Sequence, residues 1–581
     1  MAGHRSHFYC TVCDGYGTDN TYNTEIEQWR TRSVSETRRL AEAWRDADTL
    51  KDRNKIFAEH GVRWSELWRL PYWDPTRMLV IDSMHCILEG LVHYHCRRVL
   101  CIDAEVAGAP NPQQPSYSYP WISYNSNTFP GLSNLTDTEV QQVDQIHQLL
   151  MLPINSGNDT LTDSQLLNRL SNKNLKPLKY VSSTLSLPNS IMTAGGILAP
   201  VKTKNHFSTL LVNWRLRMPL SSPGNMEKPI TMKTLQYIQH VIKTATRPSW
   251  IHSIPAYYGE SSAGTIKADE WRILSTIYLP IALITLWGDN DGSSPPDSSH
   301  LLRLLDHTMA LFQAVTLVVR YTMTPLRAAN YRKLIKEWVD GLYSLHPHTI
   351  KHRKRPNVHA AFHLYDFLLL FGPVISWWCF PFERLIGVLQ KINTNDIIGG
   401  PLEQTILRSL MRAANLRRWL RRSDCPEIIR QFKNLFDKAF SSVSPEETTP
   451  NIPLPHVSRE VAHYTHNGYN YSRASTHLGN SLVLYYPMAS SVMPVAGSIE
   501  KMTVSAKGVQ LLIRRQAPLP AGQYDPFRRY PLFPAVTYSS TMIDGPTDKV
   551  TFEAIVSHVV RFNFSFNRAV VLNLSRVSMT G

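Results

Sequence analysis

Hydrophobic positions recur at helical intervals through most of the first 420 residues. Apolar residues spaced three or four apart indicate amphipathic helices. The clearest patterns are at 203–217, 230–245, 266–287, 300–322 and 325–345. Shorter patterns predict helices within 35–69, 84–100 and 402–422. The chain is therefore expected to be mainly α-helical over this length.

The pattern changes beyond residue 448. β-branched and aromatic runs separated by proline and glycine turns replace the helical spacing, which predicts a small β-rich C-terminal domain. The runs are at 482–486, 498–504, 509–514, 535–541, 550–559 and 570–574. One earlier strand is expected at Arg77–Asp82, where a short apolar run ends in a carboxylate.

Composition narrows the class of protein. A chain of 581 residues with 43% hydrophobic residues can build several packed domains. Seven cysteines are too few and odd in number for a disulfide scaffold, and no signal peptide is recognisable. The longest apolar stretch, Leu364–Phe382, contains Asp366, Gly372 and Pro373, so it favours a buried core over a membrane span. We expect no membrane association and a nuclear or cytoplasmic location.

Net charge points to a polyanionic partner. The formal charge is +15 at pH 7, which favours nucleic acid through counterion release. The basic residues cluster in a run before a predicted helix and along the helix at 402–422. They are Lys351, Arg353, Lys354, Arg355, Arg408, Arg412, Arg417, Arg418, Arg421 and Arg422. These are the candidate phosphate contacts to DNA; the alternative is a solvated helix face or a nuclear-import run.

Eight strings, in order along the chain, resemble one family. They are Leu70-Pro-Tyr-Trp-Asp-Pro-Thr-Arg77, Val80-Ile-Asp-Ser-Met-His85 with Leu88-Glu-Gly-Leu91, Gly264-Thr-Ile-Lys-Ala-Asp-Glu-Trp-Arg272, Tyr278-Leu-Pro-Ile-Ala-Leu283 with Leu286-Trp-Gly288, Leu370-Phe-Gly-Pro373, Trp377-Trp-Cys-Phe-Pro-Phe-Glu-Arg384, Gly387-Val-Leu-Gln-Lys-Ile-Asn-Thr-Asn395 and Arg412-Ala-Ala-Asn-Leu416. Together they are similar to the transposases of the CACTA (EnSpm) group, specifically their Plavaka-type fungal branch.

The resemblance implies a mixed, mainly α fold. It would consist of a partial ribonuclease-H-like α/β core, a large all-α insertion and the β-rich C-terminal domain. The corresponding boundaries are 1–102 for the remnant of the core, 103–375 for the insertion, 376–447 for the returning helices and 448–581 for the β-rich domain.

The resemblance also implies a DNA-cutting active site. In such cores, clustered carboxylates hold two Mg²⁺ ions that activate water and stabilise the leaving oxygen. Glu383, at the start of a predicted helix, is the candidate for the last catalytic acid, and Asp82 is a second candidate. The alternative for Glu383 is a helix N-terminal acid stabilised by the helix dipole.

The resemblance also suggests structural zinc. Asp82 and His85 form an Asp-x-x-His string, which in related transposases follows the second catalytic aspartate. Cys10-x-x-Cys13 and His85 could therefore supply three ligands of a tetrahedral site, with Asp82, His7 or Cys86 as the fourth. The alternative is a reduced Cys-x-x-Cys turn with His85 packed on the sheet. A second pair, His359-x-x-x-His363, lies on one helix face but lacks the glutamate of the hydrolase motif. We interpret that pair as core or surface histidines.

The chain departs from the family at its start. Residues 1–69 contain no run of strand character that ends in an acid, so the first two catalytic aspartates are expected to be missing. One remaining acid cannot hold two metal ions, and we therefore expect no DNA cleavage by this chain alone. The competing hypotheses are a truncated transposase, a non-catalytic DNA-binding protein and a protein-interaction module; self-association is expected from the family.

Overall fold

The computed structural model describes most of the chain. The described residues are 6–17, 21–102, 121, 124, 135–152, 161–185, 187, 190–192, 198–200, 203–217, 230–346, 348–349, 355–394, 399–440, 458–488 and 490–575. Helices dominate up to residue 440, and antiparallel strands dominate after residue 458. The fold is therefore mixed and mainly α, with a β-rich C-terminal part, as the sequence pattern predicts.

Seventeen α-helices occur in the described residues. They are α1 Val34–Asp46, α2 Leu50–His60, α3 Pro75–Met78, α4 Asp137–Leu150, α5 Asp163–Ser171, α6 Leu175–Thr184, α7 Lys204–Arg217, α8 Met232–Thr244, α9 Ala268–Ile273, α10 Leu279–Trp287, α11 His300–Val318, α12 Pro325–Leu345, α13 Pro356–Phe371, α14 Phe380–Leu389, α15 Pro401–Leu420, α16 Glu427–Phe440 and α17 Leu478–Ser481. Segments Met84–Val92, His95–Val99 and Leu274–Tyr278 are π-helical.

Local sequence signals set several helix starts. Ser33 and Thr49 accept hydrogen bonds from backbone N–H groups in the first turns of α1 and α2. Thr136 and Glu139 form a capping box at α4. Pro325 stands in the first turn of α12, where its missing N–H has no helical partner to lose.

The prediction of a strand at Arg77–Asp82 is wrong. Asp74 accepts a hydrogen bond from the Thr76 backbone N–H at 2.9 Å, and Pro75 has the φ angle a helix needs, so the segment starts the short helix α3. Residues 79–82 follow it without strand pairing, and Met84–Val92 is helical as expected. Within the described part of residues 6–102, pairing is limited to the isolated bridges Phe8–Tyr16 and Cys13–Thr31. The expected partial sheet around Met78–Asp82 is thus not formed there.

The main core lies among helices α8 to α13 and the π-helical segments. Its fully buried members include Leu283, Phe312, Trp338 and Phe362. Helix α11 has the length and hydropathy of a membrane span, but 83% of its apolar window is buried inside the protein, which is the environment of a core helix. A smaller core joins α4 to α7 around Ile146, Leu170, Tyr180, Phe207 and Leu211.

Twelve strands occur in the described residues. They are β1 Ser190–Met192, β2 Leu198–Pro200, β3 Arg459–Val461, β4 His463–His466, β5 Tyr469–Ser472, β6 Leu482–Tyr485, β7 Val495–Ser505, β8 Gly508–Pro518, β9 Ala535–Met542, β10 Asp548–Val550, β11 Ile555–Phe564 and β12 Arg568–Asn573. All of their pairings are antiparallel, and the pairs β1–β2 and β4–β5 stand apart from the large sheet.

The large C-terminal sheet closes on itself. Strands β6, β7, β8, β9, β12 and β11 each pair with the next, and β11 pairs back with β6. Side chains from five of these strands, including Leu482, Ala496, Val559 and Val571, form a small apolar cluster. Closure satisfies the strand edges that an open sheet would expose.

One outer face of the closed sheet packs on the helical core. Val560, Phe562, Val570 and Leu572 belong to the main core together with residues of α8 to α13. Arg568 forms a buried ion pair with Asp289, which follows α10, at 2.6 Å. The sheet and the helices therefore share apolar packing and a buried charge pair.

Helices α14 and α15 contain no buried residue, and α16 exposes its apolar face. The last turn of α13 is also exposed, so the expected buried core of Leu364–Phe382 holds only in part. Large exposed apolar residues on these helices include Phe382, Leu385, Leu407, Met411, Ile428, Phe432 and Leu435.

Candidate metal centre

The N-terminal Cys-x-x-Cys segment forms a tight turn around its first sulfur. The backbone N–H groups of Val12 and Cys13 donate to Cys10 Sγ at 3.3 and 3.5 Å. A bridge between Phe8 and Tyr16 closes the turn. Two N–H dipoles directed at one sulfur favour its thiolate form, which is the form that binds metals. We refer to residues 8–17 as the knuckle.

Helix α13 supplies two imidazoles opposite the knuckle. His359 and His363 are one turn apart and therefore lie on one helix face. Cys13 Sγ is 3.2 Å from His359 Nε2, and the Nε2 atoms of the two histidines are 3.3 Å apart. All four residues are buried, and their ligand atoms lie within 4.8 Å of one another. The cluster could therefore hold one metal ion enclosed by protein.

Neighbouring groups fix the orientation of the ligands. Asp366 Oδ2 is 2.9 Å from His363 Nδ1, which leaves Nε2 of that ring facing the cluster. Trp29 stacks on His359 with ring centroids 4.2 Å apart. Carboxylate partners of this kind set the tautomer and raise the basicity of metal-binding histidines.

Arg32 ties the knuckle to helix α2. Its guanidinium donates to the Cys10 carbonyl at 3.1 Å and to the His60 carbonyl at 2.8 Å. Gly15 allows close packing of the knuckle on α13, because a Cβ there would lie 3.3 Å from His359 Nε2. These contacts hold the knuckle where its sulfurs meet the imidazoles.

The groups around the cluster favour a negative charge on Cys10 and a positive charge on His363. The pKa of Cys10 lies well below its ordinary value, because Cys13 and the two imidazoles hydrogen-bond to its sulfur. Burial lowers the pKa of His363, but Asp366 and Cys10 together outweigh burial and raise it to about 9. The pKa of Cys13 is raised, because its hydrogen bond to Cys10 and its burial both stabilise the thiol. A divalent cation would replace protons at these positions.

A partly open cleft of about 570 Å³ borders the cluster. Its lining includes Cys13 and His363 of the cluster, and also Arg32, Arg77 and Arg332. The cleft therefore brings solvent next to two of the four cluster residues.

His85 is not part of this cluster, which corrects the predicted ligand set. Its Nδ1 lies 2.7 Å from Asp82 Oδ2, and Cys379 completes that second group. The proposed fourth ligands are elsewhere too: His7 stacks on Tyr16, and the Cys86 thiol donates to the Asn357 carbonyl at 3.4 Å.

The candidate ligands that the sequence analysis does not identify are His359 and His363, interpreted there as core or surface histidines. They are buried, but they face the two cysteines. A usable signal was present, because Cys-x₂-Cys with His-x₃-His is a common spacing of Cys₂His₂ zinc sites. The two halves do not read as one motif along the chain, because 346 positions separate Cys13 from His359.

The two candidate catalytic acids lie on one surface. Glu383 is in the first turn of α14, and its Oε1 is 3.7 Å from His85 Nε2. Asp82 contacts the other nitrogen of the same ring. His85 thus stands between the two carboxylates.

The candidate phosphate contacts fall into two groups. Lys351, Arg353 and Lys354 lie outside the described residues, and the Arg355 guanidinium stacks over Tyr94 at 3.9 Å. The α15 group is exposed. Its members are Arg408, Arg412, Arg417, Arg418, Arg421 and Arg422.

Comparison with known protein families, with curated proteins and with solved structures gives no match.

Proposed function

We propose that this protein is a transposase-derived DNA-binding protein stabilised by structural zinc, and that it does not cut DNA. The Cys10, Cys13, His359 and His363 cluster supports the zinc. Four ligands at 2.0–2.3 Å from a tetrahedral zinc lie about 3.3–3.8 Å from one another. The separations of 3.2 Å between Cys13 Sγ and His359 Nε2 and of 3.3 Å between the two Nε2 atoms are close to this spacing. Four protein ligands leave no position for substrate, as in structural sites.

Metal analysis of the purified chain tests the zinc proposal. We expect one tightly held equivalent that is lost in Cys10→Ser and in His363→Ala. The matched control is Cys101→Ser, because Cys101 is outside the cluster. Equal zinc content in Cys10→Ser and Cys101→Ser would refute the proposal. Retention of this equivalent by His85→Ala would separate the revised ligand set from the sequence-based one.

Helix α15 supports the DNA-binding part of the proposal. Arg408, Arg412 and Trp419 lie on one face, since they are spaced by about whole helical turns, and Arg418 flanks it. This face is exposed, while half-buried residues such as Ile406 and Ala413 lie opposite. Among the described residues, Arg408, Arg412 and Arg418 form no ion pair, so their charges are available to phosphates.

DNA binding at several salt concentrations tests this surface. For duplex DNA, each phosphate contact contributes about 0.9 to the slope of log K against log salt. The triple variant Arg408→Gln, Arg412→Gln, Arg418→Gln should lower the slope magnitude by about 2–3. The matched control replaces the exposed Lys51, Lys55 and Lys507 by glutamine and removes the same charge. Equal slopes in the two triple variants would exclude α15 as the DNA contact.

The proposal that the protein does not cut DNA is based on the residues around Glu383. Two-metal cleavage needs several carboxylates around both ions. Near Glu383, the described residues provide Asp82, whose oxygens accept from the backbone N–H groups of His85 and Cys379. We expect no nicking of DNA with Mg²⁺ or Mn²⁺. Nicking that disappears in Glu383→Gln would contradict this expectation.

A second candidate function is self-association through α16. Ile428, Phe432 and Leu435 are spaced four and three apart and are 73%, 67% and 66% exposed. Such an exposed apolar stripe is typical of an interaction surface. Sedimentation should detect an oligomer that Phe432→Gln with Leu435→Gln dissociates and the control Lys433→Gln does not. A monomeric wild-type protein would exclude this function.

A further inference from the structure

Asp82 joins the start of a π-helical segment to the start of helix α14. Its Oδ2 accepts from the His85 backbone N–H at 2.9 Å and lies 2.7 Å from His85 Nδ1. Its Oδ1 accepts from the Cys379 backbone N–H at 2.8 Å. The carboxylate side chain is only 13% exposed. Asp82 therefore holds His85 and Cys379, which are 294 positions apart in the sequence, in a fixed relation.

These three residues bring an oxygen, a nitrogen and a sulfur close together. Their ligand atoms lie within 4.8 Å of one another. His85 is 52% exposed, so solvent reaches the group directly. The buried cluster on α13, in contrast, encloses all four of its ligands. The two groups thus differ in ligand number and in access.

The local charge also favours a cation. The Asp82 carboxylate contacts both the His85 ring and the Cys379 backbone N–H. Glu383 adds a carboxylate 3.7 Å from the outer ring nitrogen of His85. A bound cation would neutralise this charge and allow the thiol to ionise.

We propose that Asp82, His85 and Cys379 bind a second transition-metal ion whose remaining coordination positions face solvent. Binding releases the thiol proton of Cys379 as the sulfur–metal bond forms. A thiolate and an imidazole select Zn²⁺ or Co²⁺ over Mg²⁺, which prefers oxygen ligands. Three protein ligands with open positions are typical of sites where the metal exchanges or binds a small anion or water.

This site is independent of the proposed structural zinc and of DNA binding. It differs also from a carboxylate site built on Glu383, because its selectivity depends on the Cys379 sulfur. Glu383→Gln should therefore leave Co²⁺ binding nearly unchanged, whereas Cys379→Ser should remove it.

Cobalt titration of the full-length, zinc-loaded protein tests the proposal. Absorption spectroscopy follows the thiolate-to-cobalt charge-transfer band, and a chromophoric chelator measures the affinity. We expect one additional equivalent of Co²⁺ with a thiolate band in the wild type. Cys379→Ser should abolish the band, and His85→Ala should weaken binding at least tenfold. Cys101→Ser should bind like the wild type.

Two further variants separate this proposal from the first. Cys10→Ser should lose the tightly bound zinc and keep the additional cobalt band. Cys379→Ser should lose that band and keep the tightly bound zinc. Circular dichroism confirms that each variant is folded. A wild type without an additional equivalent, or a band that persists in Cys379→Ser, would overturn the second site.

Discussion

The two ends of the chain attach to the helical core in different ways. The knuckle buries few apolar side chains, among them Tyr9 and Val12, around its two cysteines. The C-terminal sheet places Val560, Phe562 and other large residues in the main core. It also closes its own edges and adds the buried Arg568–Asp289 pair.

The difference shows that a segment with a small buried apolar area needs another source of stabilising free energy. Burial stabilises by roughly 25 cal/mol per Å², so a short turn cannot offset its own ordering entropy. A metal held by the turn and by a preformed helix can supply that free energy. A closed sheet with its own interior does not need one. The proposed zinc is therefore expected to matter for the N-terminal attachment and little for the C-terminal one.

The largest effect is expected from Cys10→Ser. Structural zinc contributes about 10–16 kcal/mol in small zinc domains, so loss of the ion should detach the knuckle from α13. Limited proteolysis and hydrogen exchange should show residues 6–32 becoming accessible while the C-terminal sheet stays protected. Cys101→Ser is the control. Unchanged protection of residues 6–32 would break the comparison.

The next effect is expected from Asp289→Ala at the other attachment. The Arg568 and Asp289 side chains are 1% and 3% exposed, and the substitution leaves a buried guanidinium without its carboxylate. Breaking such a pair costs about 3–5 kcal/mol, which denaturant unfolding should detect. The exposed pair Arg45–Asp46 is the control, where Asp46→Ala should cost far less. Equal costs would show that the buried pair does not secure the sheet.

Acid should weaken the C-terminal sheet through His558. Burial lowers the pKa of His558 to about 4, although hydrogen bonds to backbone carbonyls oppose the shift. The unfolded chain binds the proton near pH 6.5, so stability is full above that pH and falls towards pH 4. The loss reaches about 3 kcal/mol, and His558→Gln should remove that part of the pH dependence of unfolding. His463→Gln, at an exposed position of the same region, is the control. A loss in His558→Gln that is equal to or steeper than in the wild type would contradict the assignment.

The smallest effect is expected from Asp366→Asn. The substitution keeps the shape of the side chain but removes the charge beside His363 Nδ1. Loss of such a partner lowers metal affinity about 10–100-fold. Competition with a chelator measures the metal affinity, and Asp340→Asn on the surface of α12 is the control. An unchanged affinity would mean that the cluster does not depend on its supporting carboxylate.

Much of the secondary structure could be predicted from local pattern. Helix α12 and strand β8, for example, follow from the apolar spacing of their own residues. The segment Arg77–Asp82 was mispredicted because an Asp74–Pro75 helix start outweighs the strand propensity of a short apolar run. Closure of the sheet was not predictable, since it depends on the pairing of β11 with β6, far apart in the sequence.

Half of the metal cluster could be predicted for the same reason. Cys10 and Cys13 carry a local signal in their spacing, and so do His359 and His363. Nothing local says that the two pairs face each other, because packing of the knuckle against α13 decides that. The family resemblance points to His85, but Asp82 holds that ring in the second group.

The distance in sequence between the candidate ligands also determines the order in which they are synthesised. Cys13 leaves the ribosome 346 residues before His359, which at 5–20 residues per second is roughly 20–70 s. During that interval the thiols of Cys10 and Cys13 are present without the two imidazoles. They can then react with oxidants or bind other soft metal ions. The centre can be completed only after α13 has been made, so metal retention would mark a molecule whose translation and helical packing are both finished.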